Sequence, residues 1–203
     1  AKNTLPESQG WVKNVTPSAP GLDVGAIQTD APSGKKYFTM TDQNSSGFLD
    51  YTYPGIDESL LIDQDWTYEA TVRVRTGDPQ PLAIGPFQTL VAGGMKYINA
   101  IFETGKIGAM GTSASPYAYA VSANQDTATS FATYTISHHK HSAGVFDDAY
   151  DISVNGTPVP DLTGIRRSES YTPGSGEFSQ GVLFGFPFAP SQGSVDVSSV
   201  LFK

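Results

Sequence analysis

Cysteine is absent from this 203-residue chain. That excludes disulfides, thiolate metal sites and cysteine nucleophiles, but leaves the compartment open, because secreted bacterial proteins often lack cysteine. Charge is also scarce, at 16% of residues, and Asp and Glu outnumber Lys and Arg by 20 to 12. A formal net charge of −8 with no basic stripe repels phosphate backbones, so nucleic acid is excluded as a partner. No apolar run approaches the roughly 20 residues of a membrane-spanning helix. The start, Ala1-Lys2-Asn3-Thr4, lacks the apolar stretch of a secretory leader, and a leading alanine fits a chain that begins after a small-residue cleavage site. Internal repeats and extended helical periodicity are lacking as well.

What is present is turn chemistry and alternation. Gly 21, Pro 14 and a hydrophobic content of 38% fit a turn-rich β protein that can fill the space between two sheets. In Asp65–Gly77, Tyr68, Ala70, Val72 and Val74 alternate with Glu69, Thr71, Arg73 and Arg75. Side chains on a strand alternate between faces, so one face is apolar and the other polar. Further strands are expected over Lys36–Thr41, Gly47–Tyr53, Phe87–Ala92, Tyr97–Glu103, Lys106–Met110, Tyr117–Ser122, Phe131–His139, Tyr150–Val154, Thr157–Val159, Val182–Phe188 and Val195–Phe202. Asn155-Gly156 is the strongest hairpin signal, and Thr104-Gly105 is a second. Asp57–Ile62 is expected to form one helical turn. Residues 1–35 read as largely irregular, with short strands at Trp11–Val12 and Gly25–Gln28. Short strands without helical crossovers predict an all-β fold, a two-sheet antiparallel jelly-roll sandwich, with residues 1–203 as one domain. The first and last strands are expected to pair. Trp66, Trp11 and the cluster Phe184, Phe186 and Phe188 are expected in the core.

Several landmarks resemble the concanavalin A-like (laminin-G-like) jelly rolls, closest to the lectin-type modules that accompany bacterial sialidases. They are Gln9-Gly10-Trp11, the strand opening Asp65-Trp66-Thr67-Tyr68-Glu69-Ala70, the run Tyr150–Gly156, Val182–Gly185, and the closing Val195–Phe202. The resemblance covers most of the chain and rests on fold-determining residues. It implies a glycan-facing concave sheet in a secreted or cell-surface protein, in a family that includes carbohydrate-binding modules, lectins, glycosidases and polysaccharide lyases.

The residues narrow the chemistry further. Retaining glycosidases place two carboxylates about 5 Å apart, yet the E-x-D-x-x-E arrangement of jelly-roll glucanases is missing. The close acidic pairs Asp63/Asp65 and Asp147/Asp148 fall where turns favour Asp. No G-x-S-x-G elbow and no phosphate loop occur. All three histidines cluster at His138, His139 and His141, with His139 and His141 expected on one strand face. A lyase needs a base plus a cation beside the sugar carboxylate, so His139 or His141 near an arginine is the catalytic alternative.

The binding reading draws on Glu69, Arg73 and Arg75 of the first strand described and on Tyr97, Asn99 and Glu103 of another. If those strands share a sheet, their polar faces combine into a patch whose arginine forks suit an acidic sugar. For metals, Asp147, Asp148 and Asp151 form one acidic loop and Asp42, Asn44 and Asp50 another, the oxygen ligands calcium takes, although neither matches a calcium-loop pattern. The expected function is carbohydrate binding to an oligosaccharide or polysaccharide, by a module that could belong to a longer multidomain chain. A glycan-cleaving enzyme is the alternative.

Overall fold

The computed structural model describes residues 4–16, 20–44, 46–54, 64–77, 82–90, 95–97, 100–110, 119–140, 149–166, 178–186 and 192–203. Among them are seventeen strands, two short 3-10 turns and no α-helix. The strands are β1 (Val12–Val15), β2 (Leu22–Val24), β3 (Gln28–Thr29), β4 (Lys36–Asp42), β5 (Leu49–Pro54), β6 (Trp66–Gly77), β7 (Leu82–Leu90), β8 (Met95–Tyr97) and β9 (Ala100–Glu103). They continue with β10 (Lys106–Met110), β11 (Tyr119–Asn124), β12 (Ala132–His139), β13 (Ala149–Val154), β14 (Thr157–Pro158), β15 (Ile165–Arg166), β16 (Phe178–Phe186) and β17 (Gly193–Phe202).

An eight-stranded sheet has the order β1-β5-β16-β7-β9-β10-β11, with β8 beside β7. The second, nine-stranded, has the order β14-β13-β12-β6-β17-β4-β2, with β15 on β13 and β3 on β4. Every pairing is antiparallel.

Alternation decides which face each residue takes. On β6, Trp66, Tyr68, Ala70, Val72 and Val74 are buried, and on β12 so are Ala132, Tyr134, Ile136 and His138. The opposing sheet contributes Leu49, Tyr51, Phe102, Ile107, Val182, Phe184 and Phe186. Phe102 meets Tyr134 edge-on at 4.6 Å between ring centres, and the Tyr68 hydroxyl donates across the core to the Leu183 carbonyl at 2.8 Å. Aromatic contacts and a satisfied hydroxyl therefore tie the layers together.

The expected hairpins form where their turn residues stand. Asn155 and Gly156 take φ of 50° and 78°, joining β13 to β14, and Gly105, at φ 81°, joins β9 to β10. Gly185 in β16 is a different case. Its φ is 135°, and a Cβ there would lie 2.6 Å from the Leu49 carbonyl oxygen and 2.7 Å from the Asp50 Cα.

Four expectations need correction. The first and last strands do not pair: β1 lies against β5 in one sheet, and β17 lies between β6 and β4 in the other. The N-terminal stretch, read as largely irregular with short strands at Trp11–Val12 and Gly25–Gln28, supplies β1, β2 and β3, short edge-type pieces with other bounds that show little alternation because they border solvent. The segment expected as one strand over Tyr97–Glu103 is divided between β8 and β9, both pairing with β7. Most consequential, β6 and β9 belong to opposite sheets. The helical turn expected at Asp57–Ile62, and Phe188, lie outside the described residues.

Candidate functional site: the outer face of the nine-stranded sheet

The outward residues of β6 fall into two regions. Toward its C-terminal end, the Arg73 guanidinium is fully engaged. Its Nε and Nη2 donate to Asp196 Oδ2 at 3.0 and 2.7 Å, and its Nη1 donates to Asp30 Oδ1 at 3.1 Å. It also lies over the Phe131 ring at 4.5 Å and the Tyr37 ring at 5.7 Å. Only 14% of its side chain is exposed, and Asp196 is wholly buried. Burial alone would lower the Arg73 pKa, but the two carboxylates outweigh it and raise it. Asp30 sits in the connection between β3 and β4, where Ser33 side-chain and backbone bonds, with Arg73, hold its carboxyl below the ordinary range. Arg75 is half-exposed and donates through Nε to the same Asp196 oxygen at 2.6 Å.

Toward the other end, the face is partly exposed. Register places Ser153 (β13), Thr135 (β12), Glu69 (β6) and Leu201 (β17) in one row, with Asp151, Ser137 and Thr67 in the next. His139 lies one row beyond, its ring 55% exposed and its Nε2 2.8 Å from Asp151 Oδ2. Burial would raise the Asp151 carboxyl, but the Gly164 amide and the His139 ring outweigh it and hold it below its ordinary value. Glu69 pairs with Lys203 at 2.9 Å. The Thr71 and Thr133 hydroxyls bond each other at 2.9 Å, closing the boundary with the Arg73 region. The result is a partly exposed grid of hydroxyls, carboxylates and one imidazole, each side chain set by strand alternation.

This geometry separates the candidate residues. Glu69, Arg73 and Arg75 share the outer face of the nine-stranded sheet, but Tyr97 and Glu103 lie on β8 and β9 of the other sheet. Asn99 is outside the described residues. The combined patch is therefore not formed, because its condition, one shared sheet, fails. Arg73 is a structural hub whose fork two carboxylates already fill. Of the histidines, His138 points inward, stacked on Trp66 at 4.8 Å with an interplanar angle of 10°, its Nδ1 2.9 Å from the Gln64 carbonyl oxygen. His139 points outward as its position predicts, and His141 is outside the described residues. Sequence reasoning misses Thr133, Thr135 and Ser137 as site residues, although they alternate with Ala132, Tyr134, Ile136 and His138 as legibly as β6 does.

No group of three His, Cys, Asp or Glu side chains able to hold a metal occurs among the described residues. Asp147 and Asp148 lie outside them, and Asp151 accepts from the Gly164 amide and contacts His139. In the second loop, Asp42 accepts the Asn44 backbone amide through Oδ1, while its buried Oδ2 has no partner among the described residues. Asp50 accepts from Asn14 and Thr52, and burial raises both carboxyls above their ordinary value. A carboxyl raised in the folded state favours folding most below its unfolded pKa, and that contribution fades as pH rises through the folded value. Asp42→Asn keeps the acceptor for Asn44 and removes the charge. Its stability relative to the parent should therefore grow from pH 4 to neutrality and then level off, measured by urea unfolding across pH. A difference independent of pH would contradict the buried charge.

No protein-family model matches the sequence, and no curated protein is similar enough to be called a relative. Solved structures do resemble the fold. The cellulose-induced protein Cip1 matches with a TM-score of 0.56 at 11% identity, over 97% of this chain and 92% of that one. The potassium-bound carbohydrate recognition domain of Emp46p matches at 0.53 with 9% identity, over 98% and 91%. A carbohydrate esterase from the Shiga toxin-encoding bacteriophage phi24B matches at 0.54 with 12% identity, over 97% and 90%. The fold is a concanavalin A-like jelly roll. It is shared by carbohydrate-recognition domains and by glycan-active enzymes, so it does not by itself choose between them.

Proposed function

We propose that the protein binds carbohydrate on the partly exposed end of the nine-stranded sheet's outer face, through Glu69, Thr135, Ser137, His139 and Asp151. The observation that carries this reading is the register itself. It sets hydroxyl, carboxylate and imidazole groups in rows on one sheet face, where each can exchange hydrogen bonds with sugar hydroxyls. With Arg73 neutralised by Asp30 and Asp196, and with Glu69 and Asp151 on that area, the face suits a neutral glycan better than an acidic one. Arg75, at the margin and bonded to Asp196, and Lys203, paired with Glu69, are described cations beside this face. The setting that fits such a ligand is extracellular or cell-surface. A partly exposed site of this kind binds weakly, with Kd of about 1 mM for a short oligosaccharide, equivalent to about −4 kcal/mol.

A glycan array followed by calorimetry tests this. Ser137→Ala and Thr135→Ala should each weaken the best ligand about 5- to 10-fold, the effect of one hydrogen bond of about 1 kcal/mol. Absence of binding across neutral and acidic glycans would contradict the reading.

One observation favours a second reading. The His139–Asp151 contact orients an exposed imidazole as a base, and the backbone of Arg166 on β15 is in register with Ala149, the partner of His139. A base in backbone register with an arginine-bearing strand is the residue pairing that β-elimination from a uronic acid uses. Release of an unsaturated, ultraviolet-absorbing product from polyuronates, lost in His139→Ala, supports cleavage. An unchanged rate in His139→Ala removes the imidazole from that role.

A further inference from the structure

Beside this face, the edge of the sandwich splits. β17 pairs with β4 only as far as Val197 opposite Phe38, and a bulge between Val197 and Ser199 then breaks its ladder with β6. Bulges bend a strand and end pairing, frequently next to binding sites. Past the bulge, β17 runs on to Phe202 alongside β6 alone among the described residues, while Ser198 Oγ donates to the Lys36 carbonyl at 2.8 Å and anchors the point of divergence. The gap is a cleft of about 500 Å³, with Gln9, Trp11, Lys36, Phe184, Ser199 and Leu201 among its walls. That volume falls in the usual range of small-ligand sites, about 300–1,000 Å³.

The walls have the composition that sugars select. Trp11 is only partly buried and is held edge-on by Phe184 at 4.9 Å and Tyr53 at 5.6 Å, so the indole is fixed without being enclosed. An immobilised aromatic surface beside an amide and hydroxyls is complementary to a pyranose ring, whose C–H face is apolar and whose edge is polar. The cleft also reaches the sheet face. Leu201, 49% exposed, is the register partner of Glu69, which is opposite Thr135, which is opposite Ser153. Four neighbouring strands at about 4.8 Å spacing make this row roughly 14 Å long.

We propose that the cleft is a second saccharide subsite, continuous with the sheet face, so that the protein takes internal stretches of a glycan chain rather than a single terminal sugar. This rests on the carbohydrate-binding reading above and adds a separate location and a length requirement. Trp11 reports on it directly, since the only other tryptophan, Trp66, is buried against His138.

The test titrates the full chain with glucose, a β-1,4-linked glucose hexamer and a galacturonic acid hexamer, following indole emission and heat. At least one hexamer should bind at least 10-fold more tightly than glucose and change the emission, with the change lost in Trp11→Phe. Gln9→Ala and Leu201→Ser, both at the cleft surface and outside the core, should each lower hexamer affinity at least 5-fold. If a hexamer binds and Ser137→Ala weakens it, but the emission and the Gln9 and Leu201 variants are unaffected, the cleft is overturned and the face stands. If the emission responds and Ser137→Ala has no effect, the face falls and, with it, the cleft's role as a second subsite continuous with that face. Binding of neither hexamer overturns both.

Discussion

Arg73→Met should lower the thermal midpoint by roughly 6–12 °C, the consequence of losing about 3 kcal/mol in a domain of this size. The reason lies in what the substitution leaves behind. Asp196 is wholly buried between β4 and β6, and two of the three bonds it accepts from arginines come from Arg73. Methionine is of similar length but supplies neither a donor nor the cation that lies over Phe131 and Tyr37. The carboxylate then keeps only the Arg75 Nε and the Thr39 hydroxyl. Breaking one partner of a buried pair costs about 3–5 kcal/mol, and the surviving Arg75 bond argues for the lower end. Arg73→Lys should recover less than half, because a point ammonium cannot bond both Asp196 and Asp30 while lying over the Phe131 ring. A midpoint for Arg73→Met within 2 °C of the parent would mean that the hub is not structural, and would make the guanidinium a candidate ligand contact again.

The second large effect is expected at Gly185. Substitution by alanine should destabilise by at least about 3 kcal/mol, since both mechanisms for severe loss act together: a φ that L-residues rarely adopt, and a clash with backbone atoms that cannot rotate away. The Leu49 oxygen at 2.6 Å and the Asp50 Cα at 2.7 Å belong to β5, which is hydrogen-bonded to β16 on both sides of the contact. Gly105→Ala separates the two causes. Gly105 has φ of 81° but nothing within 4 Å of the methyl that alanine would add, so strain acts alone and about 1 kcal/mol is expected. Chemical denaturation of both variants decides the matter. Equal losses would show that the close approach of β5 to β16 contributes nothing.

What can be read from the sequence is local. The alternation in β6, β12 and β13, and the Asn155-Gly156 turn, assign faces and hairpins without any partner strand, because period-two patterning needs only the strand itself. Which strands lie side by side is a non-local property. The Tyr97–Glu103 stretch carries a legible inward face, Ala100 and Phe102, yet nothing in it states that its sheet is opposite that of β6. The same limit hides the fate of Arg73. Its partners Asp30 and Asp196 are 43 and 123 residues away, so an arginine on a polar face looks available when it is already occupied. Asp196 does carry a signal, an acid between the buried Val195 and Val197, but its complement can be named only once β17 is known to lie beside β6.

The most direct test of the account is amide chemical-shift mapping of the bound glycan hexamer. The account expects the perturbed amides to cluster on β6, β12 and β13, around Thr67, Glu69, Thr135, Ser137, His139 and Asp151, and to extend through Leu201 to Trp11. Shifts confined to the eight-stranded sheet, around Glu103 and Lys106, would contradict it.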